Sequence, residues 1–429
     1  MTAETEAKES FGARVRNAVL WRSGSQIVAQ MVMWSATFFV IRLLSPADYG
    51  VFAMTQSILV MFTLLNGYGF ASALIQADRI DDHQVRQVFG LLLLLNGGIA
   101  ALQFALAPLA ADYYRQPIVT DMLRVQALLY LSTPFVALPT ALLSRAMDFR
   151  KQAKVNFLSS LAGAATALSL ALSGFGVWTL VIAPLVLFWT RAIGMTVAAR
   201  ALVLPSFRFA GAGATVRFGG AMTLSQLLWF VQTQADVFIG GRVLDPHLLG
   251  LYTTSLFLAQ ILSSKFIPPL NEVAFTAYAR LQHDRAAVVR SFETATRIIM
   301  LVSLPFYAGL ALTAGPLVHT VLGEKWLDAA PIVRVLALAM PFVTLQILFA
   351  PAATALGRPR VQVYTAAAGA IVMPAAFLLG VGHGPAGMAW AWVVAFPLVL
   401  LVTAVISLPI IGVGAMALAR AIRPALIAT

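Results

Sequence analysis

The chain has 429 residues and a formal net charge of +12, yet 60% of its residues are hydrophobic and only 11% are charged. A soluble domain carries about 25% charged residues, so this composition excludes an ordinary water-soluble protein and predicts a polytopic membrane protein with a lipid-facing apolar surface. Cysteine is absent, which excludes disulfides, a thiolate nucleophile and a cysteine-ligated metal.

Apolar segments long enough to cross a bilayer recur along the whole chain. A transmembrane helix needs about 20 predominantly apolar residues. About twelve such spans are predicted, at 20–41, 50–75, 87–110, 118–142, 155–174, 176–199, 218–241, 249–270, 296–314, 331–352, 362–381 and 386–408. The first span follows a charged stretch and lacks a signal-peptide cleavage pattern, which predicts an uncleaved first helix.

The basic residues orient these spans. With twelve spans both termini lie on one side of the membrane, and 23 of the 29 Lys and Arg fall on that side. The other six lie on the opposite side: Arg42, Arg115, Arg124, Arg242, Lys325 and Arg334. Because cytoplasmic loops carry an excess of Lys and Arg, both termini are predicted in the cytoplasm. The positive charge is therefore an orientation signal, and no nucleic-acid partner is expected.

One short sequence occurs twice in the chain. "RLLSPADYGVF" (Arg42–Phe52) matches "RVLDPHLLGLY" (Arg242–Tyr252) at an offset of 200 residues. Later, "PFVAL" from Pro134 resembles "PFVTL" from Pro341, at an offset of 207. An internal repeat of this kind is typical of transporters. It predicts an all-α protein of two six-helix bundles around a central cleft.

The predicted domains follow from the repeat. Residues 1–200 form the N-terminal bundle, 201–214 a linker, and 215–429 the C-terminal bundle with a short cytoplasmic tail. Spans 1 and 7 have the same orientation, so the repeats are parallel and related by an axis along the membrane normal. The segment 271–295 is either an interfacial helix or a plain linker between spans, and the C-terminal tail has a similar basic, apolar character.

Each copy of the junction carries signals for the start of a helix. Ser45 and Asp245 are capping residues, and each is followed by a proline in the first helical turn. Gly50 and Gly250 permit close packing on a neighbouring helix. A tight external hairpin, used once in each bundle, explains most of these residues.

Polar and aromatic residues inside spans 1 and 7 are candidates for binding. They are Gln26, Gln30 and Trp34 in span 1, and Gln226, Trp229 and Gln232 in span 7. Amides hydrogen-bond hydroxyl groups and indoles stack on sugar rings, so these faces suit a sugar; hydrogen bonding between helices is the alternative. Three basic residues near the inner ends of spans, Arg22, Arg217 and Lys265, are candidates for an anionic diphosphate or are ordinary orientation charges. Arg42 and Arg242 in the repeated junction are candidates for a direct role in binding, and the hairpin itself is the alternative.

Asp236 is the acidic residue placed well inside a span. It is a candidate for a coupling proton or cation, or it pairs with Arg242 or another arginine. The five histidines are scattered without metal-ligand spacing, and the chain has no phosphate-binding loop. No catalytic residue, metal site or cofactor is therefore predicted.

Two segments resemble a known family. "RLLSPADYGVFAM" from Arg42 and "ADVFIGGRVLDPHLLGLYTTS" (Ala235–Ser255) are similar to polysaccharide exporters of the multidrug/oligosaccharidyl-lipid/polysaccharide (MOP) superfamily, most of all to Wzx-type flippases. The resemblance implies a two-bundle fold that moves undecaprenyl-diphosphate-linked oligosaccharide across the bacterial inner membrane by alternating access. It also implies coupling to H⁺, Na⁺ or the membrane potential, and a polysaccharide polymerase and export machinery as partners.

The resemblance is incomplete in two respects. Many members have fourteen spans, and twelve are predicted here. Related lipid II flippases use cavity arginines and a cation site on the seventh helix, where Asp236 lies, but their arginine pattern does not match this sequence. A multidrug exporter on the same fold, or a non-transporting scaffold of a polysaccharide synthesis complex, are the alternatives.

Overall fold

The computed structural model describes residues 30–67, 71, 74, 80–207 and 213–429, and for 213–226 it describes the backbone alone. Within this part of the chain every regular element is helical. The prediction of an all-α polytopic membrane protein is confirmed.

The helices of the two halves follow one order. The first half contains α1 (Gln30–Leu43), α2 (Pro46–Thr63), α3 (Asp82–Tyr114), α4 (Ile118–Gln126), α5 (Leu128–Arg145), α6 (Phe149–Leu172) and α7 (Trp178–Ala199). The second contains α8 (Gly213–Val243), α9 (Pro246–Ile261), α10 (Ile267–Leu281), α11 (Arg285–Leu312), α12 (Ala314–Val321), α13 (Ala329–Ile347), α14 (Phe349–Ala355), α15 (Arg360–Gly380), α16 (Gly384–Ile411) and α17 (Ala415–Ala428). In both halves a tight helical hairpin comes first, and a short helix (α4 or α12) follows the next long one.

Several of these helices have the dimensions of membrane spans. Among the described residues, seven helical stretches are long and apolar enough to cross a bilayer, and one of them, Arg360–Ile411, covers two predicted spans. Each of the twelve predicted spans overlaps a helix.

The chain divides into two compact units. The first contains Met1–Leu44 and Ile58–Thr223, and the second contains Ser45–Ser57 and Leu224–Thr429. About three turns of α2 therefore pack with the second half of the chain. The predicted linker, 201–214, runs as non-helical chain through 201–207, and α8 begins at Gly213.

Within the first unit, this non-helical segment lies against the start of α3. Arg86 donates from Nε to the Leu204 carbonyl at 3.0 Å, and the Ser206 N–H donates to the Arg86 carbonyl at 2.9 Å. A Cβ on Gly90 would lie 2.2 Å from the Ser206 carbonyl oxygen, so only glycine permits this approach. The chain leaving the first unit is thus bound to the unit's own helix.

Both copies of the repeated junction start a helix as predicted. The Ser45 Oγ accepts from the Asp48 N–H at 3.3 Å, and the Asp48 carboxylate accepts from the Ser45 N–H at 2.9 Å, which completes a capping box. In the second copy, Asp245 accepts from the Leu248 N–H at 3.0 Å. The first-turn prolines lose no hydrogen bond, because the first N–H groups of a helix have no intrahelical acceptor.

The two new helices, α2 and α9, cross with their backbones in contact. A Cβ on Gly50 would lie 1.8 Å from the Pro246 carbonyl oxygen, and a Cβ on Gly250 would lie 1.7 Å from the Pro46 carbonyl oxygen. The contact is reciprocal, because each glycine faces the first residue of the other helix. Beside it, the rings of Tyr49 and Trp326 meet edge to face at 5.5 Å. The predicted close packing at these glycines is therefore confirmed.

The segment 271–295, predicted as either an interfacial helix or a plain linker, is almost entirely helical. α9 passes through a π-helical turn at Leu262–Phe266 into α10, which ends at Leu281. Asp284 then caps α11 by accepting from the Ala287 N–H at 2.9 Å. α11 begins eleven residues before the ninth predicted span at 296, because a run of apolar residues measures the bilayer crossing and not the polar extension of a helix beyond it.

The crossing of α2 and α9 predicts a sharp intolerance to side chains. Gly50→Ala and Gly250→Ala should each destabilise the purified protein by about 1–3 kcal/mol, because the new methyl group meets a backbone carbonyl that cannot rotate away. Gly309→Ala on α11 is the control, since nothing lies within 4 Å of a Cβ there. Thermal unfolding in detergent measures the effect, and equal melting temperatures for all three variants would contradict the crossing.

Candidate functional site

Asp236 lies at one end of a buried hydrogen-bonded chain in the second unit. Its Oδ2 accepts from the Tyr252 hydroxyl at 2.9 Å, and its Oδ1 accepts from the Val237 N–H at 2.8 Å. The Trp392 indole N–H donates to the Tyr252 hydroxyl oxygen at 2.8 Å. Asp236 is 1% exposed and Tyr252 is fully buried. The chain therefore links three helices, α8, α9 and α16, with the Tyr252 hydroxyl between the other two side chains.

Asp236 stays a predicted coupling residue or a predicted partner of an arginine, and its hydrogen bonds show how the carboxyl group is held. Both carboxyl oxygens accept hydrogen bonds, one from the Tyr252 hydroxyl and one from the Val237 N–H. A buried carboxyl group is costly in an apolar interior unless it is hydrogen-bonded or neutralised by a proton. The hydrogen bonds from Tyr252 and from the Val237 N–H therefore stabilise the buried Asp236 carboxyl group.

Local packing explains why the three partners meet. Tyr252 lies two residues after Gly250, so the crossing with α2 sets its position on α9. A Cβ on Gly240 would lie 3.0 Å from the Met388 side chain and 3.2 Å from that of Leu249, which shows close packing of α8 on both α16 and α9. Trp392 follows Met388 by one turn of α16 and so faces the same way.

The other polar residues of α8 have different surroundings. Gln232 is buried, and its amide packs on α15, where a Cβ at Gly369 would lie 2.3 Å from the Gln232 Cδ. Trp229 is 52% exposed. Gln226 and Arg217 lie in α8, where their backbone alone is described. Gln232 is therefore buried against α15, while about half of the Trp229 side chain is exposed.

On α1, Gln30 and Trp34 are both half-buried. Arg22 and Gln26 lie outside the described residues. Arg42 and Arg242, the matching arginines of the two junctions, are both exposed at the ends of α1 and α8. Their side chains make interactions with their surroundings.

Lys265 occupies an unusual backbone position. It is exposed within the π-helical turn Leu262–Phe266, which is followed at once by Pro268 and Pro269 in the first turn of α10. Because proline cannot donate a backbone hydrogen bond, the regular hydrogen-bond pattern of the α-helix is interrupted here. π-helical turns occur often at functional sites, which keeps Lys265 among the candidate residues.

Sequence reasoning missed three residues of interest. Tyr252 and Trp392 read as ordinary apolar positions, because their partner is remote in sequence. Arg191 was counted among the cytoplasmic charges, but it lies well inside α7, with its guanidinium 5.5 Å from the centre of the Phe188 ring. The sequence contains a signal for Arg191, because an arginine within a 22-residue apolar helix is energetically costly and marks a functional residue or a specific partner.

The residues of this site contain no set of metal ligands. Among the described residues, no three His, Cys, Asp or Glu side chains come together. The candidate site is therefore one buried carboxyl group with its two hydrogen-bonded partners, together with exposed aromatic and basic side chains on the same unit.

Comparison with known proteins assigns the chain to a family. A family model described as polysaccharide biosynthesis protein matches residues 39–331, well over half of the chain. The chain belongs to this family. The match includes the repeated junction and Asp236, so the family resemblance read from the sequence is confirmed.

Named relatives extend the comparison. The chain is 26% identical over 351 residues to the succinoglycan biosynthesis transport protein ExoT of Rhizobium meliloti, covering 82% of this chain and 71% of that protein. It is 26% identical over 275 residues to the teichuronic acid biosynthesis protein TuaB of Bacillus subtilis, and 22% identical over 297 residues to the lipopolysaccharide biosynthesis protein WzxC of Escherichia coli. These two matches cover 63% and 69% of this chain, but only 56% and 60% of those proteins.

Solved structures show the same fold. The lipid II flippase MurJ in an inward closed conformation matches with a TM-score of 0.77 at 12% identity, covering 95% of this chain and 91% of that one. An inward-facing multidrug resistance MATE family transporter of the MOP superfamily matches with a TM-score of 0.71 at 14% identity, covering 92% and 98%. The chain is thus a multi-pass membrane protein of the polysaccharide biosynthesis protein family, and it shares the fold of these two solved transporters.

The buried chain predicts a graded response to substitution. Tyr252→Phe should destabilise the protein by about 1–3 kcal/mol, because it leaves the Asp236 carboxyl group without its side-chain donor. Tyr364→Phe on α15 is the matched control, since that side chain is 57% exposed. Thermal unfolding of the purified variants makes the comparison, and a Tyr252→Phe protein as stable as the control would show that the hydrogen bond contributes nothing.

Proposed function

We propose that the protein is a flippase that moves an undecaprenyl-diphosphate-linked oligosaccharide from the cytoplasmic to the outer leaflet of a bacterial inner membrane. The supporting observation is the combination of a polysaccharide biosynthesis family match over residues 39–331 with the fold of the lipid II flippase MurJ. Lipid-linked glycans are large, amphipathic and anionic. A transporter of such a substrate needs polar and cationic groups for the headgroup, while the tail stays in lipid.

The residues supply both kinds of group. Trp229 exposes an indole that can stack on a sugar ring, and Gln30 and Trp34 offer an amide and an indole on α1. Arg22, Arg217 and Lys265 are the basic residues proposed to hold the diphosphate, because guanidinium and ammonium groups bind phosphate through charge-assisted hydrogen bonds. Both termini are proposed to lie in the cytoplasm, following the excess of basic residues on that side.

Asp236 is proposed as the coupling residue, with a proton as the coupling ion. Among the described residues no group of three His, Cys, Asp or Glu side chains could share a metal ion, which favours a single proton over a metal ion with its many oxygen ligands. Protonation would weaken the hydrogen bond from Tyr252 and so loosen the junction of α8, α9 and α16. A change at one carboxyl group would thereby reach three helices.

Depletion of the protein in its native cell tests the substrate. Finished undecaprenyl-diphosphate-linked oligosaccharide should accumulate on the cytoplasmic leaflet, because synthesis continues while transport stops. The measurement is the amount of this lipid in each leaflet. Continued export without accumulation would refute the proposal, and sensitivity of the depleted cells to organic cations would then favour a multidrug exporter.

Substitution tests the proposed residues. Asp236→Asn keeps the shape and an acceptor oxygen but cannot change charge, so export should fall at least tenfold while the protein remains at normal abundance. Arg22→Ala should also impair export, through weaker diphosphate binding. Asp121→Asn, an exposed residue in the first turn of α4, is the control and should export normally. Normal export in both test variants would show that these residues are wrongly assigned.

A further inference from the structure

The C-terminal helix α17 is held in a defined place at the end of a membrane-spanning helix. α16 ends at Ile411, Gly412 adopts a left-handed φ of 91°, and α17 begins at Ala415. Arg285, the first residue of α11, donates from Nη2 to the Pro409 carbonyl at 2.9 Å. This bond satisfies a carbonyl in the last turn of α16, which has no acceptor role within the helix. The turn that directs α17 is therefore fixed from outside.

The inner face of α17 is buried on the second unit. Ala421 and Ala425 are buried, and Ala425 belongs to an apolar cluster with Val288 and Phe292 of α11. Leu418 and Ile422 pack against the same cluster. The small alanine side chains let α17 and α11 approach closely. α17 therefore packs against α11 and is not held by its covalent connection alone.

The outer face of α17 combines basic and apolar side chains. Met416, Arg420, Arg423 and Ile427 are all exposed, and their spacing of four, three and four residues places them on one stripe. Met416 is 66% and Ile427 is 74% exposed. Residues 415–429 contain no Asp or Glu. The stripe therefore presents two guanidinium groups between two large apolar side chains, with no acidic residue of the same segment to neutralise them.

We propose that this stripe binds the anionic phospholipids of the membrane surface. Two guanidinium groups are complementary to phosphate, and apolar side chains interleaved with them enter the boundary between headgroups and acyl chains. The short Gly412–Gly414 connection keeps α17 next to the end of a membrane-spanning helix, within reach of the headgroups. This binding site is separate from the transport site and does not depend on the proposed substrate.

The absence of cysteine makes a direct test possible. Ala419→Cys introduces a single labelling site on the exposed side of α17, and a polarity-sensitive fluorophore is attached there in the full-length protein. The labelled protein is placed in nanodiscs of pure phosphatidylcholine, or of phosphatidylcholine with one third phosphatidylglycerol. The emission should shift to shorter wavelength in the phosphatidylglycerol discs, and this shift should be lost with Arg420→Gln and Arg423→Gln together.

The control uses another exposed basic pair of the second unit. Arg358→Gln with Arg360→Gln should leave the phosphatidylglycerol-dependent shift intact. Raising the salt concentration to about 0.5 M should reduce the shift, because the Debye length then falls well below 10 Å. Equal emission in both lipid mixtures would overturn the proposal. If that equal emission is blue-shifted and unaffected by the two glutamines, the stripe is covered by protein, either more of the same chain or a second copy.

Discussion

The reciprocal contact between Gly50 and Gly250 is the constraint on which the second unit depends. Each glycine lies against the first backbone carbonyl of the other helix, so two capped helix starts meet without side chains between them. The contact needs one glycine and one capped helix start from each copy of the junction. This explains why the same short sequence occurs in both halves of the chain. It also brings about three turns of α2 into the second unit, across the boundary that the repeat alone would suggest.

The candidate site follows from this contact by short steps. Gly250 sets the register of α9, and Tyr252 then reaches the Asp236 carboxyl group on α8. Packing of Gly240 on Met388 brings α16 alongside, and Trp392 completes the chain. Under the proposed function, a change in the charge of Asp236 would be transmitted to helices that the repeated junction holds together. This arrangement suits a transporter, because a small chemical event must bias the packing of whole helices.

Much of this architecture could be predicted from the sequence, and the reasons are local. Apolar length predicts spans, and Ser45, Asp245 and their following prolines predict helix starts, because caps are determined by neighbouring residues. The paired glycines predict a close approach but do not name the partner. The Asp236 chain could not be predicted, because Tyr252 and Trp392 lie 16 and 156 residues away and look like core residues. The exact starts and ends of α10 and α11 could not be predicted either, because the polar ends of these helices carry no apolar signal.

The family match and the fold give different information about this chain. The family match concerns polysaccharide biosynthesis, and the fold is shared with a lipid flippase and with multidrug transporters. Neither comparison describes how this chain treats its own substrate. The exposed Trp229 and the basic residues near the helix ends are the features that favour a glycan on an anionic lipid over an organic cation.

Reconstitution tests the central claim most directly. The purified chain is placed in liposomes that contain a fluorescent polyprenyl-diphosphate oligosaccharide in both leaflets, with an imposed proton gradient. A membrane-impermeant glycosidase then reports how much of the lipid reaches the outside. A flippase predicts that nearly all of the lipid becomes accessible, with slower kinetics for Asp236→Asn. If half of the lipid stays protected, as in protein-free liposomes, while the chain remains folded, then the protein does not move this class of lipid.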